Sequence, residues 1–259
     1  MKLGLKNKKV VVTGAGRGIG RAIALDLAKE GAKVAVISRT ENDLKKVVLK
    51  MGGQSKGHYY VVADLTQPAS PKKVMKDIGK NFGEVDILVN NIGDALGVRD
   101  PHCSIKVWRQ IFRINLEVAI ELNNLVIPRM LQRQWGRIVH IASTASLENN
   151  GPVTYCAAKA ALLAYARSLG RIYAQEGLII SAVLPGVVID EKNYWDVVLK
   201  ERPEHAQRYL QERCPTKRFA TPDEISGMVV YLCSERATFC QGSVVPVDGG
   251  QSRHYFMSG

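Results

Sequence analysis

Cysteine is sparse in this sequence and unpaired in its spacing. It occurs at positions 103, 156, 214, 233 and 240, an odd count with no Cys-x-x-Cys. That excludes a disulfide framework and a thiolate zinc site, so no metal is expected and a reducing, cytoplasmic setting is. Long apolar runs are also missing. After the basic segment 1–9 only Val10, Val11 and Val12 follow in a row, too few for a signal peptide, and no later run could cross a bilayer. No membrane partner is expected. Aromatic residues make up 7% and form no ribbon with the basic ones, which excludes a single-strand binder and leaves no specific nucleic-acid partner. Acidic residues are outnumbered: 24 Asp and Glu stand against 36 Lys and Arg, a formal charge of +12. Such a chain favours anionic ligands, a phosphorylated cofactor or an acidic substrate.

What is present is a chain of 259 residues, 46% hydrophobic, long enough for one sizeable core. β-Branched apolar runs alternate with helix-period segments throughout, the pattern of an α/β fold, here a Rossmann-like doubly wound parallel sheet in a single domain, 1–259. Strands are expected at 9–12, 32–37, 59–62, 85–89, 137–141, 178–183 and 243–247. Helices are expected after residue 19, around 41–51, 71–82, 104–132 and 222–234, and through Tyr155 and Lys159. Residues 187–220, rich in charge, Pro and aromatics, read as irregular.

The first strand runs into Thr13-Gly14-Ala15-Gly16-Arg17-Gly18-Ile19-Gly20 and then into a helix with Ile19, Ile23 and Leu27 on one side. Glycine there lets backbone turn tightly and approach a pyrophosphate, and the helix N-terminus supplies N–H donors. An NAD-preferring unit needs a carboxylate at the end of the second strand. Here that strand ends Ile37-Ser38-Arg39-Thr40. Arg17 and Arg39 converging at that corner would grip a 2′-phosphate by charge-assisted bonds. NADP(H) is therefore the expected cofactor, with NAD(H) the lesser alternative.

Tyr155 and Lys159 stand four apart on one helix face. An ammonium beside a phenol lowers the phenol's pKa, making the tyrosine an acid or base for a carbonyl or alcohol oxygen. Ser143 follows the strand 137–141 directly, at the carboxyl edge where such sheets hold ligands. Ser104, Thr144 and Ser146 are rival hydroxyls. Asn115 lies within the apolar run Ile111, Phe112, Ile114, Leu116 and must find a hydrogen bond, either to a water in a proton relay or to neighbouring backbone.

These segments together resemble the short-chain dehydrogenase/reductase family, in its single-domain branch of roughly 250 residues, over nearly the whole chain. The matches are Thr13-Gly14-x-x-x-Gly18-x-Gly20, Asp64 after the third strand, Asn90-Asn91-Ile92-Gly93, Pro185-Gly186 and Val247-Asp248-Gly249-Gly250. Asn115, Ser143, Tyr155 and Lys159 fall at the positions of the family's catalytic tetrad. The resemblance implies hydride transfer between a nicotinamide and a small-molecule carbonyl or secondary alcohol, with Tyr155 as acid or base, Ser143 orienting the oxygen and Lys159 also bonding the nicotinamide ribose. It implies cofactor contacts from Gly14, Gly16, Arg17, Gly18, Ile19 and Gly20, from Ser38 and Arg39, and from Asp64 and Leu65. Asn91, Gly93, Tyr155, Lys159, Pro185, Gly186 and Val188 complete that set.

The family also implies a substrate lid at about 187–220 and a homotetramer or homodimer. The tail Gln251-Ser252-Arg253-His254-Tyr255-Phe256 could then reach a neighbouring subunit. Tyr194, Trp195, His205, Arg208, Tyr209 and Arg213 in the lid suit a sugar-linked or anionic substrate. Two positions depart from the pattern: Ile92 replaces a small alanine, and Asp190 stands where many relatives carry a threonine that bonds the carboxamide. A 3-oxoacyl-thioester reductase acting on an acidic carrier is the alternative within enzymes. A catalytically idle dinucleotide sensor is the alternative outside them.

Overall fold

The computed structural model describes residues 2–148, 150–191 and 193–253. Its centre is a seven-stranded, wholly parallel sheet of order β3-β2-β1-β4-β5-β6-β7. The strands are β1 (Lys9–Thr13), β2 (Lys33–Ser38), β3 (Tyr59–Val62), β4 (Ile87–Asn90), β5 (Gly136–Ile141), β6 (Leu178–Pro185) and β7 (Val244–Val247). The five inner strands are short, largely β-branched runs buried on both faces, as a sheet covered by helices requires, while the edge strands β3 and β7 are only partly buried. Alternate residues feed opposite layers. Val10, Val12, Val34, Val36, Ile87 and Val89 face one core, and Val11, Ala35, Ile37 and Leu88 face the other.

The first core is covered by α1 (Gly18–Lys29), α2 (Glu41–Lys50) and α9 (Pro222–Cys233) through Ile23, Leu27, Leu44, Val47, Ile225 and Val229. The second is covered by α3 (Ser70–Asn81), α5 (Val118–Gln132) and α6 (Val153–Ile172) through Ile78, Leu122, Val126 and Leu162. Strand order reverses between β1 and β4, so the loops leaving them diverge and open a crevice at the carboxyl edge. β7 is an edge strand and contains Pro246.

Two differences from the sequence reading have local causes. The expected helix 104–132 is divided into α4 (Ile105–Phe112), a π-helical turn (Arg113–Glu117) and α5. The Asn115 side chain donates to the Ile111 carbonyl at 2.9 Å, the acceptor its own backbone N–H would use in an α-helix, and this competition favours the wider turn. Residues 187–220 are not irregular but hold α7 (Tyr194–Glu201) and α8 (Pro203–Arg213). Asn193 caps α7, its Oδ1 accepting the Asp196 N–H at 2.9 Å, and Pro203 opens α8 at a first-turn position where its missing N–H costs nothing. Caps compensate for the weak periodicity of these short helices.

Candidate active site

The bend after β1 needs glycine at two points, Gly14 (φ +63°) and Gly18 (φ +57°). Gly20 is needed for space instead: a Cβ there would lie 2.5 Å from both Asn91 Nδ2 and the Gly14 carbonyl. Asn91 braces the bend by donating to the carbonyls of Thr13 (3.1 Å) and Gly14 (3.2 Å). Thr13 Oγ1 accepts the Asn91 N–H at 2.9 Å and donates to the Val89 carbonyl at 3.3 Å, tying β1 to β4 across the crevice. No side chain at Arg17 caps α1, so the first-turn N–H groups are left to an anion. A cradle that no side chain could enter, at an uncapped helix start, fits the pyrophosphate of a dinucleotide.

At the adenosine end, a Cβ on Gly16 would lie 2.9 Å from Ser38 Oγ and 3.3 Å from the Asp43 Cβ, so the bend sits directly over the end of β2. Arg17 and Arg39 are both exposed. Asp64 accepts the Thr66 hydroxyl at 2.6 Å and the Thr66 N–H at 2.9 Å. The Thr66 bonds, aided by the Arg39 charge, hold its carboxyl below the usual range. Beneath this loop the Arg113 guanidinium donates to the carbonyls of Thr66 (3.0 Å) and Leu65 (3.3 Å) and pairs with Glu121.

At the other end Tyr155 and Lys159 rise from the first turns of α6. Lys159 is 2% exposed and donates to the Ile141 carbonyl at 2.9 Å. Burial pushes its pKa down to about 8, the Asp94 charge opposing. Tyr155 is pushed up to about 12, chiefly by burial; a hydrogen bond with Ser143 acts in the opposite direction and the Asp94 charge adds to the rise. The expected fall in the tyrosine pKa is therefore corrected. Lys159 Nζ lies 5.7 Å from the Tyr155 ring centroid and is directed at the Ile141 carbonyl, so desolvation outweighs it.

Ser143, which also accepts the Ala145 N–H at 3.1 Å, is the hydroxyl brought to Tyr155. Thr144 accepts from Asn150 instead (3.2 Å), Ser146 Oγ is buried without a partner among the described residues, and Ser104 begins α4. Asn115 Nδ2 donates to the Asp94 carbonyl at 2.7 Å as well as to Ile111, and its Oδ1 accepts the Asp94 N–H at 3.1 Å. Its bonds among the described residues run to backbone. Gly93 touches the same group, since a Cβ there would lie 2.6 Å from Lys159 Nζ. Behind Lys159, fully buried His140 is held down to about 3 and stays neutral.

Pro185 ends β6. Gly186 donates its N–H to the Val247 carbonyl at 3.1 Å, and a Cβ on it would lie 2.8 Å from Asp248 Cα. Gln251 then accepts the Val187 N–H at 3.2 Å and donates to the Tyr209 hydroxyl at 2.9 Å, joining this turn to α8. Val188 is buried and bridges Ala220. In the α7–α8 segment Trp195 packs on Tyr209 and Phe219 at centroid distances of 4.6 and 5.2 Å. Arg208 and Arg213 are exposed, and Arg208 lines an open hollow of about 410 Å³ together with Glu201 and Glu204. His254, Tyr255 and Phe256, expected to reach a neighbour, lie outside the described residues.

Known proteins share this architecture and sequence. A family profile described as Enoyl-(acyl carrier protein) reductase matches residues 14–252. The 3-oxoacyl-(acyl-carrier-protein) reductase FabG of Aquifex aeolicus is 34% identical over 256 residues, covering 96% of this chain and 99% of the relative. Its counterpart in Salmonella typhimurium is 32% identical over 249 residues, covering 96% and 98%. Among solved structures, L-sorbose reductase from Gluconobacter frateurii, complexed with NADPH and L-sorbose, superposes with a TM-score of 0.87 at 30% identity, covering 97% of this chain and 98% of that one. A 3-oxoacyl (acyl-carrier-protein) reductase from Agrobacterium tumefaciens with NADP bound gives 0.87 at 26% identity over 95% of each.

The chain is a short-chain dehydrogenase/reductase. Within this short-chain dehydrogenase/reductase sequence reasoning missed Asp94 and Arg113, and read Gln251 only as part of a tail reaching a neighbouring subunit. Arg113 and Gln251 act through contacts distant in the chain, which no periodicity announces. Asp94 had a signal, since it directly follows Asn91-Ile92-Gly93. Its charge raises the Tyr155 pKa, so Asp94→Asn should move the tyrosine-dependent limb of the pH–rate profile to lower pH. An unmoved or upward-shifted limb would show that the carboxylate does not act on Tyr155.

Proposed function

We propose that this protein is an NADP(H)-dependent oxidoreductase that reduces the carbonyl of a small molecule to a secondary alcohol, or reverses that reaction. The observation that carries the reading is the hydroxyl of Ser143 acting on that of Tyr155 at the carboxyl edge that also carries the glycine bend. The cofactor would be held by the bend Gly14–Gly20, by Asn91 through that bend, and by Arg17 and Arg39 at its phosphorylated ribose. When bound, it supplies the hydride.

The protein's own groups handle the oxygen. Ser143 bonds it and holds it against Tyr155. With its pKa near 12, the Tyr155 phenol stays protonated at neutral pH and gives up its proton only to a strong base such as an alkoxide developing on the substrate. Lys159, still largely protonated at pH 7 with a pKa of about 8, stabilises the phenolate once it forms. Asn115 fixes the Asp94 backbone and thereby the floor beside Lys159.

For the substrate we favour the carbonyl of a neutral ketose, or in reverse a secondary alcohol of a polyol, as the sorbose reductase complexed with L-sorbose suggests. The Asp94 charge, acting on both Tyr155 and Lys159, repels small anions, and the neighbouring Glu201 and Glu204 offset Arg208. A 3-oxoacyl thioester on an acidic carrier is the second reading, supported by the net charge of +12 and the 3-oxoacyl reductase relatives. Segment 187–220 acts as the lid in either case. No helix among the described residues is long and apolar enough to cross a membrane. With the free cysteines this supports a cytoplasmic protein, and exposed Leu125, Val153 and Ile172 on α5 and α6 support pairing of copies into a homodimer or homotetramer.

A carbonyl panel with NADPH and NADH tests the reading, with acyl-carrier protein added as competitor. Turnover with NADPH should exceed that with NADH. Arg39→Ala should raise the NADPH KM by about tenfold or more, the loss of a charge-assisted bond, and leave the NADH KM unchanged. Equal use of both cofactors by the wild type would overturn the cofactor assignment.

A further inference from the structure

We propose that Asp190 sets cofactor affinity and ties the cofactor groove to the lid, by holding the N-terminal end of α1 until a dinucleotide displaces it. The inference rests on the reading of the glycine bend as the pyrophosphate site, and concerns a residue that departs from the family pattern.

The Asp190 side chain is 10% exposed and its Oδ1 accepts from Arg21 Nη2 at 3.1 Å. Its other oxygen, Oδ2, lies 3.3 Å from where a Cβ on Gly18 would be. Gly18 is the first residue of α1 and Arg21 belongs to its first turn. The carboxylate thus lies beside the first turn of α1 without bonding its free N–H groups, within reach of the place a pyrophosphate would take. Two anions cannot share that end at contact distance without strong repulsion. Part of the affinity of any phosphate-bearing ligand is therefore used to move the side chain away.

Its movement would be transmitted. The Asp190 carbonyl accepts the Asn193 N–H at 3.1 Å, while Asn193 Nδ2 donates to the Val188 carbonyl at 2.7 Å and Asn193 Oδ1 caps α7. A shift of Asp190 pulls on the first turn of α7, which carries Tyr194 and Trp195. A threonine at this position, as in many relatives, carries no charge and could not make this latch. A purely structural ion pair between α1 and the lid predicts the reverse: breaking it would loosen the site and weaken the cofactor.

The test is NADPH binding by fluorescence titration to the wild type, Asp190→Asn and Asp190→Thr, with hydrogen exchange of segment 187–201 in the same proteins. Both variants should bind NADPH about tenfold more tightly, as removal of a repelling charge predicts. Exchange in that segment should rise when NADPH is added to the wild type, and should already be raised in the variants without it. Equal or weaker binding by both variants, with far-ultraviolet dichroism like the wild type, overturns the latch alone. Absence of NADPH binding in all three proteins removes the reading of the groove and the latch with it.

Discussion

Tyr155→Phe lowers kcat by about a thousandfold, the scale of a lost proton donor, while the dissociation constant for NADPH changes by no more than about twofold. The substitution removes one oxygen from a half-buried ring whose hydroxyl faces Ser143. The glycine bend, Asn91 and the β1–β4 crevice do not touch it, so most of the expected cofactor contacts are kept and Tyr155 loses only its hydroxyl. Ser143 still accepts the Ala145 N–H and keeps its place. Stability should shift by about 1 kcal/mol or less, the net worth of one hydrogen bond. Steady-state rates with a reducible ketone, NADPH titration and thermal unfolding together check the expectation. Turnover within about tenfold of the wild type would remove Tyr155 from the chemistry.

Lys159→Met carries the second large effect, and it is read twice. Turnover should fall by about a hundredfold or more, because the cation that stabilises the phenolate is gone. Stability should change in a pH-dependent way, because the native pKa of about 8 lies below the ordinary 10.5. Between those values the unfolded chain binds a proton that the native protein does not. Unfolding free energy of the wild type therefore gains a term that increases as pH rises from 8 toward 10.5. The variant lacks that term, so the wild type should become more stable relative to it across this window, and the difference should level off below and above. Urea unfolding of both proteins at a series of pH values measures this directly. A difference that stays flat through the window would mean that the lysine titrates as it does in water.

The sheet could be read in advance because its strands are short runs of Val, Ile and Ala with nowhere else to go. Their boundaries moved by a residue or two where a polar residue, Thr13 or Asn90, still pairs in the ladder. The proximity of Tyr155 and Lys159 follows from helix geometry, and the position of Ser143 from its place just after β5. The π-helical turn was hidden because it depends on a side chain, Asn115, capturing a carbonyl of its own helix. The lid helices were hidden because capping by Asn193 and Pro203, not periodicity, sustains them. Arg113 could not be read at all: its partners Leu65 and Thr66 lie 48 and 47 residues away along the chain and meet it only once β3 and α5 are packed. The same holds for Arg21 and Asp190, separated by 169 positions.

The outer rim of β7 has a consequence for how copies of this protein can meet. The Ser243 and Val247 carbonyls accept from Ala182 and Gly186, which turns the peptide groups of Val244 and Pro246 outward. At Pro246 that outward position has no N–H to offer a further strand. Backbone zippering of one molecule's sheet onto another's is thereby blocked along this border, a safeguard against fibrillar stacking. Association on this flank must go through side chains, and Pro246→Val, which restores the missing donor, would expose the chain to edge-to-edge growth.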